Sequence, residues 1–239
     1  MISFSIKLAE KVIEVNANYP ATKEFCRDYL TDEPKDLSVS VNISDIIAEE
    51  VAVQSQEKFP PQFLETLALY RKIAKELSSY GVILFHGSAI AVDGEAYVFT
   101  AKSGTGKSTH TALWRKMFGQ RAVMINDDKP LIAVRDGEIV IYGTPWCGKH
   151  KLGTNVSAPL KAICILERAE NNSIEKISSK EAVTTVFAQT YRFNEPFGMT
   201  NVLACVDRMV NTLPAYRLKC NMNDDAALVA YNGMNGEEK

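Results

Sequence analysis

Apolar and polar residues alternate in two runs near the start of the chain, ISFSIKL at 2–8 and KVIEVNA at 11–17. A period of two predicts two short strands, and the tight spacing between them predicts a hairpin. TKEFCRDYL (22–30) has the pattern of a short helix, and LSVSVNISDIIAEE (37–50) reads as a strand running into a helix or turn. EKFPPQF (57–63) then interrupts the pattern with two prolines. That punctuation predicts a boundary between a small N-terminal α+β module, residues 1–60, and a larger domain, residues 61–239.

From Phe63 the period changes. FLETLALYRKIAKELSSYG (63–81) repeats apolar residues at helical spacing, with Gly81 as a candidate C-cap. VILFHGSAIAV (82–92) reads as one apolar strand, and AYVFTA (96–101) as a second after a DGE turn. STHTALWRKMFG (108–119) is a helix closed by Gly119, and RAVMIND (121–127) is a strand that ends in acidic residues. LIAVRDGEIVIYG (131–143) is a hairpin turning at Asp136-Gly137. TPWCGKHKLGTN (144–155) is a polar loop and LKAICILER (160–168) a further strand. Two helices at 179–191 and 201–213, a strand at 215–221 and a last helix at 223–232, capped by Asn223 or Asp224, complete the pattern. The tail GMNGEEK (233–239) is expected to fray.

The chain has 239 residues, 46% of them hydrophobic, which is enough for one substantial core plus a small module. Its net charge of -2 is spread over mixed acidic and basic residues, so neither nucleic acid nor a membrane is an expected partner. The five cysteines, Cys26, Cys147, Cys164, Cys205 and Cys220, form no CxxC pair, which fits free thiols in a reducing cytosol rather than a zinc site or disulfide framework. MISFSIKLAEKVIEV lacks the charge and apolar pattern of a signal peptide, and no run approaches the roughly 20 apolar residues of a membrane span. The expected location is cytoplasmic.

The chemistry concentrates between residues 86 and 128. AKSGTGKS (101–108) meets the phosphate-loop pattern G-x-x-x-x-G-K-[ST] at every fixed position except the first, where Ala101 replaces Gly. Gly104 and Gly106 let backbone N–H groups turn inward as a nest for anionic oxygens, Lys107 reaches outer phosphates, and the Ser108 hydroxyl suits Mg²⁺. A strand before the loop and a helix after it add the dipole of a helix N-terminus. Ser103, Gly104, Thr105, Gly106, Lys107, Ser108 and Thr109 are therefore the candidate nucleotide contacts. Ala101 adds one methyl group, which the loop accommodates if the local φ is negative.

Asp127 and Asp128 close an apolar strand about twenty residues after the lysine. Two adjacent carboxylates there have two jobs available: one holds a Mg²⁺ that bridges phosphates, and the other accepts a proton from an attacking hydroxyl. NDDKP is also a turn sequence. His86 ends a strand beside the loop-bearing strand, a place from which it contacts a phosphate or orients a carboxylate. His110 and His150 have weaker cases. Trp146 and Lys149 in the polar loop are candidate pocket residues, with a structural loop as the alternative. Cys147 has no Cys/His arrangement around it, and Arg192 is a candidate cation or a surface residue.

Taken together, FHGSAIAVDGEAYVFTAKSGTGKST (85–109) and INDDKPLI (125–132) resemble the catalytic domain of HPr kinase/phosphorylase and, more distantly, phosphoenolpyruvate carboxykinase. The resemblance covers residues 82–135 well and 136–230 loosely. It implies an α/β fold of the carboxykinase type, with a mixed, bent sheet and flanking helices. It also implies Asp127 as the catalytic base, Asp128 beside the metal or an arginine, and His86 in the place of the active-site histidine. The Glu-Ile-Arg-Gly-Leu-Gly run that follows the acidic pair in HPr kinases is missing, with YGTPWCGKHKLG standing nearby, and residues 1–60 do not resemble that family's N-terminal domain. HPr is thus not the expected acceptor.

The expectation is an ATP- and Mg²⁺-dependent kinase that transfers the γ-phosphoryl group to a Ser-like hydroxyl of a peptide, small protein or small molecule. Catalysis would use Lys107, Asp127 and His86, and Ser108 and Asp128 would hold the metal. HPr kinases form rings, so the resemblance leaves a homo-oligomer open. A regulatory nucleotide-binding module with little transfer activity is the alternative, and a nucleotide hydrolase is a third reading.

Overall fold

A computed structural model describes residues 1–52, 58–193 and 195–236. It divides into two compact units, Met1–Ser79 and Tyr80–Lys239. In the first, β1 (Ile2–Leu8) and β2 (Lys11–Ala17) form the antiparallel hairpin that the alternation predicts. Ala9 and Glu10 make its turn with φ of 46° and 65°. A two-residue I′ turn needs positive φ at both central residues, and here Ala9 and Glu10 adopt it in place of the usual asparagine or glycine. β3 (Leu37–Ser40) pairs with β2 in parallel, and α1 (Pro20–Phe25), α2 (Ile43–Ala52) and α3 (Pro61–Ser78) complete the unit. Ile6, Ile13, Leu69, Ile73 and Leu77 are fully buried.

The division falls after Ser79 and not at residue 60, because the two prolines start a helix. Pro60 is the N-cap of α3 and Pro61 its first residue, where a missing N–H costs nothing and the fixed φ is already helical. The helix is capped at its other end by Ser79, and Gly81 instead brings the backbone against β8 (Leu131–Arg135), where its carbonyl accepts from the Val134 N–H at 2.8 Å.

The second unit is a curled, mixed nine-stranded sheet among the described residues. Its path runs from β4 (Val82–Leu84) through β8, β9 (Glu138–Tyr142), β10 (Ser157–Arg168), β6 (Glu95–Thr100) and β5 (Ser88–Val92) to β7 (Ala122–Asn126). β12 (Ala215–Cys220) adds to β10 in parallel, and β11 (Ser173–Ile177), which the apolar pattern does not announce, adds to β12. β10 pairs with β9 through Ser157–Pro159, then shifts register after Leu160 and continues along β6 and β12.

The run 82–92 is two strands, not one. At the break the His86 N–H donates to the Gln189 carbonyl at 2.7 Å and the Gly87 N–H to the Asp128 carbonyl at 3.1 Å. Those bonds take the chain off β8 and deliver it to β6. β4 therefore pairs with β8, and the strand beside the loop-bearing β6 is β5.

α4 (Lys107–Phe118) covers the sheet through Trp114, which packs on Tyr97, Phe99 and Tyr231 with ring centroids 5.0, 5.1 and 5.8 Å away. α5 (Ser179–Ala188) starts with a reciprocal capping box between Ser178 and Glu181. α6 (Pro196–Thr212) begins earlier than its apolar pattern because proline opens it. α7 (Asp225–Asn235) has Asp224 at its N-cap position, but that side chain pairs with Lys116 at 2.5 Å instead of capping. α7 also takes in part of the expected tail: Asn235 accepts a hydrogen bond from the Tyr97 hydroxyl at 3.0 Å. Residues 237–239 lie outside the described residues.

Candidate functional site

Strand direction assembles the site. β5 is antiparallel to both β6 and β7, so β6 and β7 run the same way and end at one edge of the sheet, where β5 begins. The end of β6 launches residues 101–106, the end of β7 leads into Asp127 and Asp128, and the start of β5 carries His86 and Ser88. β10 runs parallel to β6, with Ile165 opposite Thr100, and brings Arg168 to the same edge.

The loop has the backbone that its glycines allow. Gly104 has φ 79° and Gly106 φ 122°, and an added Cβ at either would meet nothing within 4 Å. Conformation, not crowding, calls for glycine there. The Thr105 N–H closes a turn on the Lys102 carbonyl at 3.3 Å, and the first bond of α4 runs from the His110 N–H to the Gly106 carbonyl at 2.9 Å. The N–H groups of Gly106, Lys107, Ser108 and Thr109 precede that bond and have no acceptor among the described residues. Ala101 lies outside the left-handed region and is 4% exposed, its methyl group part of the aromatic core. The departure from the phosphate-loop pattern is thus a core residue.

Lys107 is buried and its Nζ donates to the Ala101 carbonyl at 3.1 Å. Burial pushes its pKa down, and the Asp128 and Asp127 carboxylates oppose that shift. Ser103, Gly104 and Thr109 are exposed, and Thr105, Gly106 and Ser108 half-buried.

The two aspartates stand in different surroundings. Asp127 is buried, and its Oδ1 accepts from the Ser88 hydroxyl at 2.7 Å. Ser88 is in turn 3.0 Å from the Thr111 hydroxyl on α4, one turn beyond Lys107. Asp128 is more open. It pairs with Lys129, and its Oδ1 is 3.5 Å from His86 Nε2. The Gly148 backbone packs on it so closely that a Cβ there would lie 3.0 Å from that of Asp128.

His86 is held from the far side by Gln189, whose Oε1 is 2.8 Å from Nδ1. Its pKa is lowered, first by burial and then by the Lys107 charge, while the Gln189 bond and Asp128 oppose the shift. The Thr100 hydroxyl donates to the His86 carbonyl at 2.9 Å, so His86 stands beside the end of β6 although β4 does not pair with it. Asn126 shapes the acidic turn: its Oδ1 accepts from the Asp128 and Lys129 N–H groups at 2.9 and 2.7 Å, and its Nδ2 donates to Thr144.

The structure thus brings Lys107, Asp127, Asp128 and His86 to one edge of the sheet. Other sequence candidates go elsewhere. His110 is buried, accepts from Trp114 Nε1 at 3.0 Å and meets Phe99 edge-on, and burial lowers its pKa to about 4. Trp146 is buried, Lys149 and His150 are exposed, and Arg192 lies over the Phe187 ring at 5.6 Å. Burial, followed by the two aspartates, raises the Cys147 pKa, which suits an inert thiol. Sequence reasoning missed Ser88, Asn126, Arg168 and Gln189. Ser88 and Asn126 adjoin motif residues and were within reach of a closer reading, whereas Gln189 carries no local signal.

One solved structure with similarity is the Hpr(Ser) kinase/phosphatase from Coxiella burnetii, at 10% identity over 64% of this chain and 88% of that one, with a TM-score of 0.36. No curated protein matches. No helix among the described residues is long and apolar enough to cross a membrane. Residues 53–225 match the family described as SynChlorMet cassette protein ScmC, and the chain belongs to that family.

Proposed function

We propose that this protein is an ATP- and Mg²⁺-dependent kinase that transfers the γ-phosphoryl group to a hydroxyl of a peptide, small protein or small molecule. One observation carries the reading: four acceptor-free N–H groups and the buried Lys107 share a sheet edge with two adjacent carboxylates. The amides and the lysine suit phosphate oxygens, and the carboxylates suit a metal and a proton.

The donor set fits Mg²⁺, which takes hard oxygen ligands and needs only one or two carboxylates beside phosphates and water. The Ser108 hydroxyl and Asp127 Oδ2 make no hydrogen bond among the described residues, and Asp128 is half-exposed. Ser108 and Asp128 would hold the ion, which supplies charge neutralisation at the phosphates. Asp127, its other oxygen fixed by Ser88, takes the acceptor proton. His86, its Nδ1–H given to Gln189 and its pKa lowered by burial and by Lys107, presents Nε2 to the site beside Asp128 as an acceptor.

An exchange of the two aspartates is the second reading. It is favoured by the burial of Asp127 and its link through Ser88 and Thr111 to the helix that carries Ser108. Asp127→Asn and Asp128→Asn separate the two, because loss of the metal ligand removes the Mg²⁺ dependence of nucleotide binding and loss of the base does not.

Calorimetric titration with Mg²⁺ and a non-hydrolysable ATP analogue tests the whole reading. Binding by the wild type that vanishes in Lys107→Ala supports it. Two folded proteins that both fail to bind overturn it. Binding without transfer, unchanged in Asp127→Asn, would make the protein a regulatory nucleotide-binding module.

A further inference from the structure

Arg168 is the last residue of β10, and β10 overruns β6 because the two strands pair in parallel with Ile165 level with Thr100. The side chain therefore reaches over the loop that leaves β6. Its Nε donates to the Thr105 carbonyl at 3.1 Å, and its Nη2 donates to the Gly104 carbonyl. One planar guanidinium thus spans two consecutive carbonyls at the crest of the loop. Arg168 is exposed and makes no ion pair among the described residues, so its known polar contacts are with the loop.

We propose that Arg168 is a positioning residue for the nucleotide phosphates, holding residues 104–106 in the conformation that receives them. The proposal rests on the reading of 101–108 as a phosphate-binding loop. In a planar trans peptide the carbonyl and the following N–H point in opposite directions. Fixing the Thr105 carbonyl toward Arg168 therefore turns the Gly106 N–H away from it, and that N–H is the first of the four acceptor-free groups. Fixing the Gly104 carbonyl likewise sets the direction of the Thr105 N–H, which already closes the turn on Lys102. Two positive-φ glycines leave this segment with little stiffness of its own, and an external fork supplies it.

The geometry separates Arg168 from an ordinary phosphate-binding cation. A point charge would attract phosphate from any nearby position. A fork acting on carbonyls has to match their spacing, which lysine cannot do with one nitrogen.

The test is titration of wild type, Arg168→Ala and Arg168→Lys with the Mg²⁺–ATP analogue and separately with inorganic pyrophosphate, alongside amide hydrogen exchange of each free protein. Both variants are expected to lose about tenfold in affinity for both ligands, since the ordering of the loop must then occur on binding. Exchange at Thr105, whose N–H is bonded to the Lys102 carbonyl, should accelerate in Arg168→Ala, with the β10 amides unchanged. Wild-type affinity in Arg168→Ala overturns the proposal and leaves the phosphate loop intact. Full recovery in Arg168→Lys also overturns it, because charge alone would then suffice. Accelerated exchange throughout β10 would make Arg168 a general structural residue and overturn it as well. No binding by the wild type overturns the phosphate-loop reading and this inference together.

Discussion

Glu65 in the first unit and Asp127 in the second are both buried carboxylates, and the difference between them lies in what surrounds the oxygens. Glu65 is fully buried on α3. Its Oε1 accepts from the Asn18 N–H at 2.6 Å and from Asn18 Nδ2 at 2.8 Å, and its Oε2 from the Tyr19 N–H at 3.1 Å and from the Thr22 hydroxyl. It satisfies the chain where α1 begins, and both oxygens are occupied. Asp127 has one donor, Ser88, on one oxygen. Burial is common to both, whereas unused acceptor capacity beside a buried lysine belongs to Asp127. A carboxylate that is fully saturated belongs to the architecture, and one left partly open at a strand end is available for chemistry.

The sharpest way to break this contrast is to change each carboxylate to its amide. Asp127→Asn is expected to lower phosphoryl transfer by about 10²- to 10⁴-fold, the range for loss of a general base. Its stability should stay within about 1 kcal/mol of wild type, since the amide oxygen still accepts from Ser88. Glu65→Gln is expected to do the reverse. An amide directs two N–H donors at groups that are themselves donors, and the unfolding free energy should fall by about 3 kcal/mol. Urea denaturation and turnover measured on both proteins decide the matter. Equal loss of stability in the two would make Asp127 structural.

A third buried titratable group, His110, lies between these cases. Its Nε2 is satisfied by Trp114, and its Nδ1 has no partner among the described residues. Burial holds its pKa at about 4, below the ordinary 6.5. As pH falls from 6.5 the unfolded chain takes up a proton that the folded protein refuses until about pH 4. The folded state therefore loses stability through that window and keeps it in full above 6.5. The loss amounts to about 3 kcal/mol by pH 4, at roughly 1.4 kcal/mol per pH unit. His110→Gln retains an acceptor for Trp114 and should flatten this part of a stability–pH profile. A profile unchanged by the substitution would place the acid sensitivity elsewhere, with His86 the next group to examine.

How much of this was legible in the sequence depends on the range of the interaction. The hairpin at 2–17, the strand–loop–helix at 96–118 and the acidic turn are local, and their residues carry the signal themselves. At residue 60 the pattern is ambiguous, because proline opens a helix as readily as it closes a module, and the compact units divide after Ser79. The single strand expected over 82–92 failed for a different reason. Its break at His86 is made by backbone bonds to Gln189 and Asp128, which no pattern in the run itself reveals. Arg168 is similar, since its role depends on the register of β10 against β6.

The smallest expected effect concerns the residue that departs from the phosphate-loop pattern. Ala101→Gly restores the consensus, yet Ala101 is part of the aromatic core and its φ needs no glycine. What the loop takes from this position is a carbonyl, held by Lys107 Nζ, and that carbonyl is the same in both residues. Removing the methyl group exposes a small cavity beside the core and frees the unfolded chain, so stability should drop by about 1 kcal/mol. Affinity for the Mg²⁺–ATP analogue should change by less than about threefold, since one buried methyl group in the core makes no contact with the ligand. A large gain in affinity in Ala101→Gly would show instead that the methyl group obstructs the loop, and the natural protein would then be a weakened nucleotide binder in which the regulatory reading displaces the kinase.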